Sequence, residues 1–335
     1  MSLRRPVPVL VLVAALAFGA CNGGSAPSTA GPTPLTVGLG FIPSVQFAPF
    51  YLAQQKGYYR DAGLQVTFQN KIDPDLVTLV GQGAVDVGLA DGTSVIPAVS
   101  QGIPIRYVAT VYRQFPSIVF AKETSGIRTA ADLKGRKIGI PGRYGSSWIM
   151  LQALLGSVSL RPTDVTIVDY PDFGQGAAVQ QGAVDAATGF VNNEPVQLSL
   201  SGVKTVVLHI DDVVPLPGPG LITGTKTLGS EPKRAAVGAF VAATLKAMRD
   251  IAANPDAGLE ASITAVPELG QSRETQKAVL AATIQAWKGS GDAQGFGAIN
   301  RAAWTRSIDF MTGLGLVPNP VKVDDLVDEG LIPLP

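Results

Sequence analysis

The side chains that most often carry chemistry are few in this chain. There is one histidine, His209, inside an apolar strand-like stretch, and one cysteine, Cys21. A catalytic triad built on histidine, a His/Cys metal cluster and a histidine proton relay each need more than that. Neither a GxxxxGK phosphate loop nor a glycine-rich dinucleotide fingerprint after a strand occurs. The expectation is therefore of a protein that is not an enzyme and holds no metal or cofactor. What remains are polar and aromatic residues suited to gripping a small molecule: Phe41, Ser44, Gln46, Phe47 and Tyr51; Asp91, Thr93 and Ser94; Tyr112 and Gln114; Tyr144, Gly145, Ser146, Ser147 and Trp148; and Asn192, Asn193 and Glu194.

Several of these have two uses. Asp91 and Thr93 suit the N-terminus of a following helix as well as a ligand. Gly145-Ser146-Ser147 opens a helix whose first amides would accept an anion, but with no Arg or Lys close by other than Arg143 a strongly anionic ligand is the lesser reading. Glu194, before Pro195, is either a surface turn or a carboxylate that accepts ring N–H groups. The aromatic rings favour a flat heteroaromatic ligand. Each stacking contact adds about 0.5–1.5 kcal/mol beyond area burial, and micromolar affinity needs about 8 kcal/mol. A sugar or a simple oxyanion would want more hydrogen-bond donors.

These clusters fall where predicted strands end. Strands are expected at Leu35 to Gly40, Leu64 to Gln69, Val85 to Leu89, Arg106 to Tyr112 and Ser117 to Ala121. A second set covers Ile138 to Ile140, Val165 to Asp169, Ala186 to Phe190, Lys204 to His209 and Gly220 to Thr223. Helices alternate with them, including one over residues 73 to 82 with Asp73 as N-cap and Pro74 following. The expectation is an α/β chain with a largely parallel sheet, whose ligands bind at the carboxyl ends of the strands. Residues 82 to 88, QGAVDVG, recur as QGAVDAA at 181 to 187, and Thr36-Val37-Gly38-Leu39 has its counterpart in Lys137-Ile138-Gly139-Ile140. Chance in a chain rich in Gly, Ala and Val is the plain alternative. The other reading is two similar lobes facing one cleft, with Asp86 and Asp185 structural because they start strands rather than end them. Residues 35–120 with 225–335 would form lobe 1, and residues 121–224 lobe 2. The last third reads as helical, over Pro232 to Asn254, Arg273 to Lys288 and Ala298 to Leu314, with Trp287 and Trp304 in its core.

Composition bounds the rest. The chain has 335 residues, 46% hydrophobic and 16% charged, with 26 Lys plus Arg against 26 Asp plus Glu. That supports two buried cores, and offers no basic field for nucleic acid. Residues 1–20 have the parts of an export signal: Arg4 and Arg5, an apolar run from Val7 to Phe18, then Gly19 and Ala20. Ala20-Cys21 resembles a bacterial lipobox, with Phe18 where Leu is usual, so Cys21 is the expected lipidation site. Acylation there would anchor the protein at the extracytoplasmic face of the cell membrane. Residues 21–34 then form a Gly/Ser/Pro-rich tether.

The runs FIPSVQFAPFYLAQQKGYYRDAGLQV, GQGAVDVGLADGTSVIPAVSQGIPI, DLKGRKIGIPG and GFVNNEPV resemble the solute-binding proteins of ABC importers in the NMT1/THI5-like group. The resemblance covers most of residues 35 to 225. It implies a two-lobed periplasmic-binding-protein fold of type II, capture of a small molecule in the cleft, and delivery to a membrane permease driven by an ATPase. Members that bind thiamine pyrimidine precursors typically carry Trp-x-Pro-Asn with a histidine three residues on; Phe41, Pro43, Ser44 and Phe47 stand there in this chain. The PSVQFAPFY run is similar to that of riboflavin-binding members. The resemblance thus implies riboflavin first, a thiamine pyrimidine precursor second and a sulfonate- or nitrate-type anion third. A pyrimidine-synthesising enzyme on the same fold is the distant alternative.

Overall fold

A computed structural model of the protein describes residues 31–70, 75–213 and 216–333. Cys21, the signal-like segment, the tether up to residue 30 and the Asp73-Pro74 helix start lie outside them. The strands are β1 (Thr33–Gly38), β2 (Leu64–Gln69), β3 (Val87–Ala90), β4 (Ile105–Thr110), β5 (Ser117–Lys122), β6 (Lys137–Ile140), β7 (Thr166–Asp169), β8 (Ala186–Phe190), β9 (Thr205–His209) and β10 (Gly220–Gly224). They form two five-stranded sheets, ordered β2-β1-β3-β10-β4 and β7-β6-β8-β5-β9.

The repeated motif has the same structural job in both halves. Gly83 and Gly182 each end a helix in the left-handed conformation, with φ of 78° and 77°, which a residue with a Cβ adopts only at a cost. The following aspartate then clamps the first strand of its sheet. The Thr36 N–H donates to Asp86 Oδ2 at 2.8 Å, and the Lys137 N–H donates to Asp185 Oδ2 at 2.8 Å. The amides of Asp86 and Asp185 return the bond to the Thr36 and Lys137 carbonyls at 3.0 and 2.9 Å. Both aspartates are architectural, at the amino ends of β3 and β8.

The sheets are mixed rather than largely parallel. β1 pairs in parallel with β2 and β3, and β6 with β7 and β8. In each sheet one strand arrives from the other half and runs antiparallel to both its neighbours: β10 between β3 and β4, and β5 between β8 and β9. A strand that crosses directly, with no helix returning it to the same edge, enters from the opposite end. Sheet membership therefore puts the crossings at residues 111–116 and 210–219, ahead of the expected boundaries at 120/121 and 224/225. The run SIVFAK of β5, buried up to its last residue, reads the same in either direction, so its pattern does not reveal which sheet it joins.

The two crossings run side by side. The amides of Val111 and Tyr112 both donate to the Pro219 carbonyl, at 3.0 and 2.8 Å. A Cβ on Gly218 would sit 2.2 Å from the Tyr112 carbonyl oxygen, so only glycine lets the strands approach. The Phe115 N–H donates to Asp211 Oδ2 at 3.2 Å, and burial pushes the Asp211 carboxyl up to about 6.

The C-terminal helices position the first sheet. Glu231–Ala253, Pro255–Ala265 and Arg273–Lys288 bury Phe240, Met248, Leu259 and Trp287 in one core with Leu35, Val37 and Phe50. The ring of Tyr59 stacks on Phe240 at 5.0 Å. Trp304 packs edge-on against Tyr107 at 4.9 Å on the other face of that sheet. The last long helix begins at Arg301 rather than Ala298, because the Asn300 side chain accepts from the Ala303 amide and so sets the N-cap. Pro255–Ala265 is a helix without an expectation behind it. No helix among the described residues is long and apolar enough to cross a membrane.

Candidate functional site

The carboxyl ends of the parallel strands from both sheets converge on one cavity of about 320 Å³, a size that suits a small organic ligand. After β1 the chain turns through Gly40 (φ 70°) into Phe41. Ser44 then accepts from the Gln46 amide at 3.3 Å and caps a short 3₁₀ turn, Val45–Phe47, which leads into the helix Ala48–Gln55. Phe41, Gln46 and Phe47 line the cavity. Ser44 does not, being spent on the turn. Tyr51 faces the core beneath: it is buried, and burial pushes its hydroxyl up to about 12 against the pull of the Ser44 backbone.

After β3, Asp91 does both of its expected jobs. Its Oδ1 accepts from the Thr93 hydroxyl at 2.6 Å and the Ser94 amide at 3.2 Å, capping the helix Gly92–Ser100, and the residue lines the cavity with Ser94. Burial raises the carboxyl above the usual range, against the pull of those bonds and of the Ser146 hydroxyl. Thr93 is wholly buried behind it and does not line the cavity. At the first crossing Tyr112 lines the cavity, and burial raises its phenol. Gln114 lies beyond the lining, and its amide donates to the Ala286 carbonyl at 3.1 Å.

From the second sheet, Tyr144 is the N-cap of the helix Gly145–Gly156 and stands half-exposed at the cavity with Gly145, Ser146 and Ser147. Trp148, one residue further, is turned away onto that lobe's core, with the Arg143 guanidinium 5.9 Å above its ring. After β8 the wall comprises Phe190, Asn193 and Glu194, while Asn192 is wholly buried outside it. Glu194 is no surface turn. Its Oε2 accepts from the Phe190 amide at 2.8 Å and its Oε1 from the Gln175 side chain at 3.4 Å, and burial raises its carboxyl.

Some of the wall was not anticipated. Phe173 holds a left-handed backbone, φ 61°, uncommon for a bulky residue and a form of strain that clusters at ligand sites. Its ring meets Phe41 from the other sheet edge-on at 5.3 Å. Leu39, Leu76, Val77, Leu89, Pro141, Gln175 and Pro219 complete much of the lining. The signal for Phe173 was available, since it follows the predicted strand ending at Asp169. For the aliphatic residues no signal separates wall from core. The result is a slot with aromatic walls, flanked by two carboxylates, one from each sheet, Asp91 buried and Glu194 half-buried. It suits a flat ring system with N–H or O–H groups at its edge.

The model of the family described as "NMT1/THI5 like" matches residues 44–258. The riboflavin-binding protein RibY of Chloroflexus aurantiacus is 34% identical to this chain, over 97% of it and 95% of the relative. The 4-amino-5-hydroxymethyl-2-methylpyrimidine phosphate synthase of Legionella pneumophila is 26% identical over 54% of this chain and 57% of its own length. Among solved structures, the alkanesulfonate-binding protein SsuA of Xanthomonas axonopodis pv. citri, bound to MOPS, superimposes with a TM-score of 0.67 at 20% identity. That match covers 90% of this chain and 99% of that one, and it establishes the two-lobed binding-protein fold.

Proposed function

The chain belongs to the NMT1/THI5-like family, and from that membership we propose that it is the extracytoplasmic solute-binding protein of an ABC importer, with riboflavin as its ligand. The observation that carries this is the slot between the sheets, walled by Phe41, Phe47, Tyr112, Phe173 and Phe190 and edged by Asp91 and Glu194. Rings of a tricyclic vitamin would lie against those walls, while the acceptors take its N–H or hydroxyl protons. Similarity to a riboflavin-binding relative over nearly the whole of both chains supports the same ligand. The protein captures and releases rather than converts, and hands its cargo to a membrane permease powered by an ATPase. Cys21 is its lipid anchor, residues 1–20 are its export signal, and residues 35–116 with 220–335 form one lobe and 117–219 the other.

A thiamine pyrimidine precursor is the second reading, supported by the synthase relatives that match about half of this chain. Its single ring would leave much of the aromatic wall uncovered. A sulfonate or nitrate would face Asp91 and Glu194, which disfavour an anion. The test is titration of riboflavin with the purified protein, read by flavin fluorescence. Quenching at micromolar concentration or below, with the vitamin recovered unchanged, is the expected result. A heat of binding for the pyrimidine without quenching by flavin would reverse the order, and turnover would defeat the capture reading. Replacing Cys21 by Ser should abolish palmitate labelling in cells.

A further inference from the structure

Asn192 is wholly buried beyond the cavity wall, immediately after the second-sheet strand β8, yet its side chain bonds to the other half of the molecule. Its Nδ2 lies 2.8 Å from Thr283 Oγ1, on the helix Arg273–Lys288, and 3.2 Å from Gln46 Oε1. Thr283 decides the direction of both bonds. Its hydroxyl has one proton, which it places on the Val279 carbonyl at 2.7 Å, so towards Asn192 it can only accept. The group of Asn192 that faces it must therefore be the NH₂. The second proton of that NH₂ goes to Gln46, which has to answer with its oxygen. What Gln46 has left is its own NH₂, and Gln46 lines the cavity. Among the described residues, nothing accepts from that NH₂.

We propose that Asn192 is a positioning residue that locks the Gln46 amide in one orientation, making Gln46 a hydrogen-bond donor to a ring carbonyl of the ligand. The proposal rests on the flavin reading and deepens it by naming the group recognised. A donor from Gln46, beside the acceptors Asp91 and Glu194, matches a ring edge on which carbonyl and N–H groups alternate. The lock also joins the lobes, since Asn192 follows β8 whereas Gln46 and Thr283 belong to the other sheet's side. The donor is thus correctly aimed only when the two halves are together.

The experiment compares riboflavin with its two analogues in which one ring carbonyl or the other is a thiocarbonyl, a weaker acceptor. Affinities are measured with the wild type, Gln46→Leu, Asn192→Asp and Thr283→Val, alongside the thermal midpoint of each. The wild type is expected to bind one of the thio analogues about fivefold or more weakly than riboflavin. Gln46→Leu should bind riboflavin more weakly and lose that discrimination. Asn192→Asp removes the N–H that fixes Gln46, and Thr283→Val removes the acceptor that fixes Asn192. Neither residue lines the cavity, and both variants should lose most of the discrimination. Thr283→Val keeps the test open should a buried aspartate unfold the protein. A merely structural role would lower the thermal midpoint while leaving the discrimination intact, and that result overturns the proposal. Equal binding of riboflavin and both analogues by the wild type overturns the donor assignment and leaves the flavin reading standing. No binding of riboflavin by the wild type overturns the flavin reading, and the donor assignment falls with it.

Discussion

Asp86 and Asp185 occupy the same place in the two sheets, and each clasps the first strand of its own half through a backbone N–H at 2.8 Å. Nine residues on from Gln82 and Gln181 the halves part company: the first has Asp91, the second Phe190. In the first half the buried acid comes directly after the strand and caps a helix. In the second the ring comes first, and the acid, Glu194, folds back onto that ring residue's amide. Amino ends of the strands carry what the two lobes share, and carboxyl ends carry what distinguishes them. Strand pairing constrains the former in both copies alike, whereas the latter face the cavity and answer to a ligand that has two different sides.

Even the shared aspartates are embedded differently, and that difference yields the largest expected effect. Asp86 also accepts from Lys233 at 2.9 Å, and its side chain is 18% exposed. The nearest cation to Asp185 is Arg136 at 4.0 Å, and its side chain is 41% exposed. Asp86→Ala should cost about 2–3 kcal/mol of stability in urea unfolding, since it leaves the part-buried Thr36 N–H unpaired and the Lys233 ammonium with only the Pro34 carbonyl. Asp185→Ala should cost about 1 kcal/mol. Equal losses would mean that the covering helix Glu231–Ala253 adds nothing to the clasp.

The two tyrosines of the cleft sharpen the contrast between the halves at the site itself. Tyr112 is 4% exposed and Tyr144 46%. Tyr112→Ala should weaken ligand binding by about 1–3 kcal/mol, and Tyr144→Ala by less than about 1. Tyr51→Phe and Trp148→Phe, both in core positions, should leave affinity near that of the wild type. A larger loss at Tyr144 than at Tyr112 in the same titration would shift the binding energy to the second lobe.

A pH-dependent effect concerns the crossings that join the halves. Asp211 titrates at about 6 in the folded protein, against 3.8 when unperturbed. The folded state therefore holds the proton more tightly than the unfolded one. This group's contribution is unpenalised below about pH 4 and turns unfavourable as pH rises through about 6. Asp211→Asn keeps an acceptor for Phe115 and removes the penalty. Its gain over the wild type should be absent near pH 4 and reach about 1–2 kcal/mol by pH 7. A pH-independent difference in urea unfolding would show that Asp211 is hydrated in the fold.

Much of the arrangement was legible in the residues. The repeat, the approximate strands and the placement of Phe41, Gln46, Phe47, Asp91, Tyr112, Tyr144, Ser146, Ser147 and Glu194 near strand ends followed from periodicity and turn chemistry. Tyr51 and Trp148 did not join them, because an aromatic residue on a helix looks the same whether its face meets a cavity or a core. A ring between Asp172 and Gly174 reads as a turn residue, and only its place after a predicted strand points Phe173 to the site. The direction of β5 and β10 was hidden, since apolar runs carry no arrow.

By itself the sequence determined the local grammar: where strands and helices begin, which glycines must turn left-handed, and that the acid of each QGAVD copy stands at the start of a strand. Those features depend on residues within a few positions of one another. Only the tertiary structure decided which side of each helix faces the slot, that each crossing strand joins the opposite sheet, and that Asn192 reaches Gln46 and Thr283, 146 and 91 residues away. Such contacts depend on how the two sheets meet, and no spacing along the chain encodes that meeting.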